Sequence, residues 1–538
     1  MIITELQQLY ATHPNVEGMC KLLKDNSVRH LYCSGLCASA ASLFSSVLVQ
    51  QAECPFVFIL GDLEEAGYFY HDLTQILGTG QVLFFPSSFR RAIKYGQKDA
   101  ANEILRTEVL SRLQKGEEGL CVVTYPDALA EKVVSRKELG DKTLKLHAGE
   151  KVDMDFVTEV LRSYGFEYVD YVYEPGQYAV RGSIIDVFSF SSEFPFRIDF
   201  FGDEVESIRT FEVESQLSKE KKEEIVIVPD LSRSLEQGGD GGMVSFLDFL
   251  RPDTLLAMRD FLWLRERIQV VHDESLTAQA IAACEAEENG AISLEGKLID
   301  GGEFTLRALD FRRMEFGTKP TGTPDATVAF STVAQPIFHK NFDLVAESFR
   351  DYLSRNYTLY ICSDSLKQTD RIRAIFEDRG DNISFTPVER TLHEGFADDT
   401  LRLCIFTDHQ LFDRFHKYNL KSDKARSGKV ALSLKELNQF TPGDYVVHTD
   451  HGVGRFTGLV RIPNGDTTQE VMRLVYQNDD VVFVSIHSLH KVSKYKGKEG
   501  EAPRLNKLGT GAWEKLKDRT KTKIKDIARD LIKLYSQR

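Results

Sequence analysis

One short stretch near the N-terminus has residue types and spacing that could hold a phosphate. Residues 30–45 read HLYCSGLCASAASLFS, in which a strand-like run meets a turn at Ser34-Gly35 and a helix is predicted to begin at about Ala38. Phosphate-binding loops share this order of strand, glycine turn and helix N-terminus, because backbone N–H groups then surround the anion. In such loops a lysine at the start of the helix neutralises the β- and γ-phosphates.

That lysine is missing from this stretch. Ala38 and Ser39 occupy its place, and the next lysine after the turn is Lys94. No acidic strand end clearly supplies a magnesium ligand. We therefore predict that Gly35, Ala38 and Ser39 form a degenerate phosphate loop without ATP hydrolysis. A tight strand-to-helix turn is the favoured interpretation, and residual nucleotide binding is the alternative.

The rest of the chain has no spacing typical of catalysis or of metal binding. The segment HTDH at 448–451 places two histidines across a strand end and a turn, where ordinary turn chemistry is the favoured interpretation. No CxxC pair occurs among the eight cysteines, which argues against a zinc site and favours reduced cysteines. No nucleophile, base and orienting residue are recognisable from spacing. We predict no catalytic residue, no metal and no cofactor for this chain.

Composition places the chain among ordinary globular proteins. Its 538 residues are 42% hydrophobic and 28% charged. The net charge of −14 argues against a surface that coats nucleic acid, although it permits a local basic patch. The N-terminus lacks the pattern of a signal peptide, and no apolar run approaches the ~20 residues that span a bilayer. We predict a cytoplasmic protein without a membrane partner.

The hydrophobic pattern predicts several modules in succession. In the first 140 residues, apolar runs such as PFVFIL at 55–60 alternate with helix-like segments, which favours a doubly wound α/β layer. Residues 171–211 alternate with period two and predict a small antiparallel module inserted into that layer. The pattern at 341–408 predicts a second small α/β domain. Residues 441–490 contain four or five short strand signals, as in an SH3-like or Tudor-like barrel.

The last segment is predicted to be a basic amphipathic helix. Apolar residues from Trp513 to Leu534 recur three or four apart, and residues 504–538 contain 11 Lys and Arg against 4 Asp and Glu. Such a basic stripe can bind nucleic acid or an acidic partner. The solvated face of a linker helix is the favoured interpretation.

One strand of the inserted module carries an arginine and an aromatic residue opposite its core face. Alternation along FRIDFF places Phe196, Ile198 and Phe200 on one face and Arg197, Asp199 and Phe201 on the other. Arg181, just before Gly182, is expected near this second face. Arginine and aromatic residues together are typical of interface hot spots. A surface cation–π pair without a partner is the alternative.

Three long stretches resemble a known family. The segment QYAVRGSIIDVFSFSSEFPFRIDFFGDEVESIRTFEVESQLS resembles the module shared by the excision-repair protein UvrB and the transcription-repair coupling factor. The segments TPGDYVVHTDHGVGRFTGL and MRLVYQNDDVVFVSIHSLHKVSKY resemble the RNA-polymerase-interacting domain of the coupling factor, which UvrB lacks. The ending, from LNKLGTGAWEKLKDR onwards, resembles the helix that leads into that factor's DNA translocase motor. The likeness is strong over about 30–230 and 436–538 and weak over 320–430.

The resemblance implies particular partners and contact residues. It implies that the inserted module binds UvrA through Arg181, Arg197 and Phe201. It also implies that the barrel binds the β subunit of RNA polymerase by strand addition, because small barrels often leave a strand edge unpaired. The candidate contact residues on that strand are Leu459, Val460, Arg461 and Ile462, and the alternative is that these residues belong to the barrel core.

The resemblance also has implications for nucleotide binding and hydrolysis. In UvrB the equivalent loop carries Lys and then Thr, whereas the coupling factor's N-terminal module is known as an ATPase-dead version. UvrB's Tyr-rich damage-probing hairpin is not recognisable here. The motif GxxxxGK[ST] occurs nowhere in these residues, so we expect an N-terminal fragment or a truncated relative. ATP, Mg²⁺ and DNA are expected only with the motor domains.

The predicted fold class is a multidomain α/β protein whose first layer is of degenerate P-loop type. The predicted domains are the UvrB-like layer at 1–142 and 225–325, the UvrA-binding module at 143–224, a small α/β domain of unknown role at 326–430, the polymerase-binding barrel at 436–498 and the linker helix at 503–538. The predicted function is recruitment of UvrA to stalled RNA polymerase. A UvrB-like scanning protein and an autonomous nucleotide-binding α/β enzyme are the alternatives.

Overall fold

A computed structural model of the chain divides into two compact units. The first contains Met1–Leu144, Phe190–Glu193 and Val226–Lys424, and the second contains Lys145–Ser189, Phe194–Ile225 and Ala425–Arg538. The structure describes residues 1–25, 27–52, 54–88, 100–213, 216–231, 243–275, 296–414, 416, 418, 441–448, 450–464, 467–485, 492–495, 503, 505–508 and 513.

The helices are numbered here in chain order. They are α1 Ile3–Tyr10, α2 Pro14–Lys24, α3 Ala40–Gln51, α4 Leu63–Leu77, α5 Ala100–Lys115, α6 Pro126–Ala130, α7 Arg136–Asp141, α8 Met154–Ser163, α9 Phe261–Ser275, α10 Gly301–Ala308, α11 Phe342–Ser354, α12 Leu366–Asp378 and α13 Asp408–Leu411. Short 3-10 turns cover Phe246–Phe249 and Gln477–Asp479.

The strands are numbered in the same way. They are β1 His30–Ser34, β2 Phe56–Ile59, β3 Val82–Phe85, β4 Cys121–Thr124, β5 Val133–Val134, β6 Leu144–His147, β7 Glu167–Tyr168, β8 Gln177–Arg181, β9 Ile184–Val187, β10 Phe196–Phe201, β11 Glu204–Phe211, β12 Ser218–Lys222, β13 Glu224–Ile227, β14 Met243–Val244, β15 Leu255–Met258, β16 Arg312–Glu315, β17 Ala326–Ala329, β18 Thr332–Ala334, β19 Thr358–Ser363, β20 Thr386–Glu389, β21 Phe396–Asp398, β22 Leu403–Thr407, β23 Tyr445–His448, β24 Gly452–Asn464, β25 Thr467–Val475, β26 Val481–Ser485 and β27 Val492–Lys494.

A seven-stranded sheet forms the centre of the first unit. Its order is β17-β1-β16-β15-β2-β4-β3, and each of its six neighbouring pairs is parallel. The strands FVFI, VLFF and CVVT are buried along their whole length, because helices cover both faces of such a sheet. The predicted α/β fold with a parallel sheet is confirmed.

A second sheet of the first unit has the order β18-β21-β22-β19-β20. Strand β19 runs parallel to β20 and β22, whereas β21 pairs antiparallel with β22. One face of this sheet, with Cys362 and Ile405, joins the hydrophobic cluster of the seven-stranded sheet. The other face, with Ile361 and Phe406, packs with Phe349 in a separate cluster. The residues predicted as a small α/β domain therefore share part of their core with the first layer.

The second unit contains two further sheets. The six-stranded sheet has the order β12-β11-β10-β9-β8-β7, and its strands pair antiparallel except for β7 with β8. A turn at Gly202, with φ +61°, joins β10 to β11. The five-stranded antiparallel sheet has the order β26-β25-β24-β23-β27 around a core that includes Phe456, Leu474 and Tyr476.

The predicted basic helix at 503–538 falls largely outside the described residues. Of this range the structure describes only residues 503, 505–508 and 513, and residues 505–508 are not helical. No helix in the part of the chain that the structure describes is long and apolar enough to cross a membrane.

Candidate functional site

The predicted phosphate loop has the expected strand, turn and helix, but the helix begins later than predicted. Helix α3 starts at Ala40 rather than at about Ala38, because Ala38 adopts φ +49°, which is incompatible with a right-handed helix. Gly35 has φ +76°, and a Cβ at this position would clash with the carbonyl oxygen of Phe330. A glycine at position 35 therefore allows the backbone of the loop to lie close to the backbone of Phe330.

The polar groups of this loop are bonded to other parts of the first unit. The Cys37 N–H donates to Thr332 Oγ1 at 3.1 Å, and Thr332 Oγ1 donates to the Gly35 carbonyl at 2.6 Å. Ser39 Oγ donates to Asp72 Oδ2 at 2.6 Å and accepts from the Glu394 N–H at 2.9 Å. Groups that would contact a phosphate in a working loop are thus engaged within the protein.

A cavity of about 320 Å³ lies beside the loop. Its lining includes the carboxyl groups of Asp62, Glu64, Glu65, Asp72 and Glu394, whereas Arg259 supplies the one guanidinium group among the lining residues and pairs with Glu65. Burial raises the pKa of Asp72 to about 6, although hydrogen bonds from Ser39 and Ser42 favour its charged form. The electrostatic field of this cavity therefore opposes a polyphosphate.

Four histidines of the first unit, namely His71, His393, His409 and His416, cluster beside helix α4. His71 on α4 lies 5.0 Å from His416 between ring centroids, and His409 stacks on His416 at 4.4 Å. The His393 ring stacks on Tyr68 at 3.5 Å. The pKa values of His71, His393 and His409 are lowered to about 4 each, mainly by burial and partly by the neighbouring imidazoles. These side chains are neutral near pH 7.

The exposed face of β10 is the first candidate partner surface. Burial alternates along this strand as predicted, with Phe196, Ile198 and Phe200 buried. Phe201, at the end of the strand, is 79% exposed. An exposed aromatic side chain of this size, in a module that also carries arginines, is the composition found at interface hot spots.

Arg181 and Arg197 are brought together by a residue that the sequence analysis did not single out. Asp186 on β9 is fully buried, and its carboxylate accepts from Arg197 Nε at 2.8 Å and from Arg197 Nη2 at 2.9 Å. Arg181 Nη2 donates to the same carboxylate. The signal was available in the sequence, because an aspartate within an apolar strand requires a cationic partner.

The two arginines differ in how accessible they are. The Arg197 side chain is only 15% exposed, and its guanidinium lies 4.6 Å from the ring centre of Phe211. The Arg181 side chain is 36% exposed and lies over the Tyr171 ring at 5.2 Å. Arg197 is therefore held mainly within the module, whereas Arg181 and Phe201 present more surface to solvent.

Strand β24 provides the second candidate surface. It pairs with β25 from Arg455 to Asn464. On its other side it pairs with β23 only from Gly452 to Arg455, and the backbone of Phe456 then bonds to Gly443 and Asp444, just before β23. In the described part of the chain no further strand pairs with β24, so its edge at 457–464 is open on the β23 side. Such an edge can receive an extended segment of a partner.

The four predicted polymerase contacts lie on this open stretch of β24. Leu459 is 42% exposed, and Val460 is partly buried. The backbones of Arg461 and Ile462 pair with Glu470 and Gln469. Their side chains lie outside the described part of the structure, so the face they present stays a prediction.

Within the HTDH segment, Asp450 and His451 lie in a turn. The Asp450 N–H donates to His448 Nδ1 at 3.1 Å, and the rings of His448 and His451 stack at 4.6 Å. Among the described residues no group of three or more His, Cys, Asp or Glu could hold a metal ion.

Two family models match the chain. A model described as the UvrB interaction domain matches residues 144–232, and a model described as the CarD-like/TRCF RID domain matches residues 440–496. The first range contains Asp186, both arginines and Phe201, and the second contains all of β24.

Similarity to curated proteins extends over nearly the whole chain. It is 25% identical to the transcription-repair-coupling factor of Bacillus subtilis (strain 168) over 576 residues, and 25% identical to that of Staphylococcus aureus (strain bovine RF122 / ET3-1) over 580 residues. Each match covers 94% of this chain and 48% of the relative, so the chain spans about half the length of these relatives. Along that 94% the chain is homologous to the N-terminal half of the transcription-repair-coupling factors.

Proposed function

We propose that this chain recruits partners for transcription-coupled repair, binding UvrA through the six-stranded sheet and the β subunit of RNA polymerase through β24. The proposal is carried by one observation: each of the two modules matched by a family model has a surface open to a partner. These surfaces are the exposed Phe201 in the first module and the edge at 457–464 in the second.

The UvrA surface is proposed to consist of Phe201 and Arg181, supported from behind by Arg197. Phe201 offers a large apolar contact, and Arg181 offers a partly exposed cation in the same sheet. Arg197 contributes through Asp186, whose carboxylate binds both guanidinium groups. An aromatic anchor near a preorganised arginine is a favourable arrangement for a hot spot.

The polymerase surface is proposed to work by strand addition. A segment of the β subunit would pair with the open edge of β24, so that main-chain hydrogen bonds supply affinity and alternate side chains supply specificity. Leu459, Val460, Arg461 and Ile462 are the candidate contacts. We also propose that the five-stranded sheet is an SH3-like or Tudor-like barrel, which its short antiparallel strands support.

The loop at Gly35, Ala38 and Ser39 is proposed to be a degenerate P-loop that binds no nucleotide. The absence of a lysine, the bond from Ser39 to Asp72 and the acidic cavity support this proposal. ATP, Mg²⁺ and DNA are proposed to act only with translocase domains, and the protein is proposed to work in the cytoplasm.

Separate pull-downs with purified UvrA and with purified β subunit test the proposal. We expect the full chain to retain each protein by itself, without ATP. A chain that retains neither partner, or that requires ATP to do so, would contradict the proposal and favour the alternative of an autonomous nucleotide-binding enzyme.

A further inference from the structure

The residues that follow the five-stranded sheet are bonded back to it through one residue, Asn506. Asn506 Oδ1 accepts from the Val453 N–H at 2.8 Å, and the Asn506 N–H donates to the Val453 carbonyl at 2.9 Å. The Asn506 carbonyl accepts from the Gln477 N–H at 3.0 Å. Asn506 therefore connects the start of β24 to the turn that follows β25.

These bonds place Asn506 on a particular edge of β24. In an antiparallel strand, the N–H and C=O groups of one residue point to the same side. Both groups of Val453 are directed at Asn506, so Asn506 lies on the edge of β24 away from β23. The edge proposed to receive the polymerase segment is on the opposite side, and it stays accessible while Asn506 is bonded.

Packing around Gly452 supports the same arrangement. Gly452 has φ +78°, and a Cβ there would lie 2.7 Å from the Asn506 side chain and 3.0 Å from the ring of Trp513. Leu508 packs against the core cluster that includes Phe456 and Tyr476. Three residues from the segment 506–513 thus lie against the sheet, which indicates a built contact.

We propose that Asn506 is a positioning residue that fixes the chain after the five-stranded sheet to β24, the strand that carries the proposed polymerase edge. Its importance for repair rests on the proposed function, but the contact itself does not. Because Asn506 bonds both Val453 and Gln477, it ties the start of β24 to the turn after β25.

Trp513 provides a direct probe of this connection. The chain contains two tryptophans, and Trp263 is 45% exposed on α9, so Trp263→Phe leaves Trp513 as the single tryptophan in the full chain. Acrylamide quenching and fluorescence anisotropy then report whether Trp513 is held against Gly452. In this background Asn506→Ala removes the acceptor for the Val453 N–H and shifts the ratio of anchored to released segment by about fivefold or more.

The expected result is stronger quenching and lower anisotropy of Trp513 in Asn506→Ala, with the circular dichroism of the chain unchanged. Asn506→Asp retains an oxygen acceptor in the same place and should restore the wild-type values. Asn506→Gln keeps the amide but moves it by one methylene. It replaces Asn506→Ala in the same measurement if the alanine variant fails to fold. Unchanged quenching in the alanine and glutamine variants, or no rescue by aspartate, overturns the proposal.

Binding of the β subunit, measured on the same samples, separates this inference from the proposed function. We expect affinity within about twofold of wild type for Asn506→Ala, because the open edge of β24 is untouched. If wild type itself fails to bind the β subunit, the proposed function is wrong while the Trp513 result still decides the role of Asn506.

Discussion

The loop after β1 and the open edge of β24 use their polar groups in opposite ways. In the loop, Cys37, Ser39 and Gly35 are all bonded to residues of the same unit. On β24, the stretch at 457–464 has no described partner strand on one side. Backbone groups in folded proteins are almost always paired, with protein or with water. A loop whose polar groups are bonded within the protein has few of them left for a ligand, whereas an open edge remains available to a partner.

Two buried carboxylates extend this comparison. Asp72 accepts from the hydroxyl groups of Ser39 and Ser42, and burial raises its pKa to about 6. Asp186 is buried as completely, but two arginines pair with it. The first carboxylate makes its surroundings unsuitable for an anion, and the second orients cations at a surface. The environment, rather than the residue type, decides which role a buried aspartate has.

Proline on β24 should have the largest effect on binding. Neighbouring residues of a strand direct their N–H groups to opposite edges, so Val460→Pro and Arg461→Pro affect different edges. The variant that removes an N–H directed at β25 should lose a bond within the sheet and melt at a lower temperature. The variant that removes an N–H directed at the open edge should keep its stability but leave a carbonyl of the β subunit unpaired, which weakens β-subunit binding by up to about a hundredfold. Wild-type affinity in two folded variants would contradict strand addition at this edge.

Phe201→Ala should weaken UvrA binding by about thirtyfold, since truncating a central hot spot costs about 2 kcal/mol. The melting temperature should not change, because the side chain is 79% exposed. Phe156→Ala on α8 of the same unit is the matched control, since Phe156 is 52% exposed and lies outside the proposed surface. Isothermal titration calorimetry measures the UvrA affinity of wild type, Phe201→Ala and Phe156→Ala. Equal losses in both variants would mean that the wrong surface has been assigned.

Arg197→Ala should differ from Phe201→Ala by destabilising the module. Breaking a buried ion pair costs about 3–5 kcal/mol, but Arg181 continues to pair with Asp186, so we expect roughly 2 kcal/mol. Urea denaturation should show this loss together with weaker UvrA binding. Arg162→Ala on the exposed face of α8 is the control. A variant with full stability and lost binding would show that Arg197 contacts UvrA directly.

The histidine cluster predicts that the first unit loses stability in mild acid. An imidazole in the unfolded chain has a pKa of about 6.5, whereas burial lowers that of His71, His393 and His409 to about 4. Between these values the unfolded state binds more protons, so stability falls as pH decreases from about 6.5 to about 4. The raised pKa of Asp72 opposes part of this loss.

Replacing one histidine should reduce that pH dependence. We expect His71→Gln to lower the slope of unfolding free energy against pH by about 1 kcal/mol per pH unit. His147→Gln is the control, because the His147 side chain is 54% exposed. Denaturation at several pH values measures both slopes. Identical slopes in wild type and His71→Gln would contradict the account of the cluster.

The smallest expected effect is that of ATP, since we expect the chain not to bind it. Calorimetric titration with Mg-ATP should give no binding heat, and Ala38→Lys should not restore binding because the Asp72 and Glu394 carboxyl groups remain in the cavity. ATPase activity above background that Gly35 or Ser39 substitutions abolish would contradict this prediction.

The sequence predicted the architecture better than the site details. Buried strands such as FVFI and CVVT were predictable because continuous apolar runs are typical of parallel sheets. The start of α3 was predicted wrongly, since nothing in the small-residue run near Ala38 indicates its left-handed backbone. The bond between Cys37 and Thr332 joins residues 295 positions apart, which local patterns do not reveal. The histidine cluster was missed for the same reason.

The most direct test of the central claim measures wild type, Phe201→Ala and the stable β24 proline variant against immobilised UvrA and immobilised β subunit. If the two surfaces are separate and open, wild type binds both proteins, Phe201→Ala loses only UvrA, and the proline variant loses only the β subunit. Loss of both partners by either folded variant, or no binding by wild type, would contradict the claim.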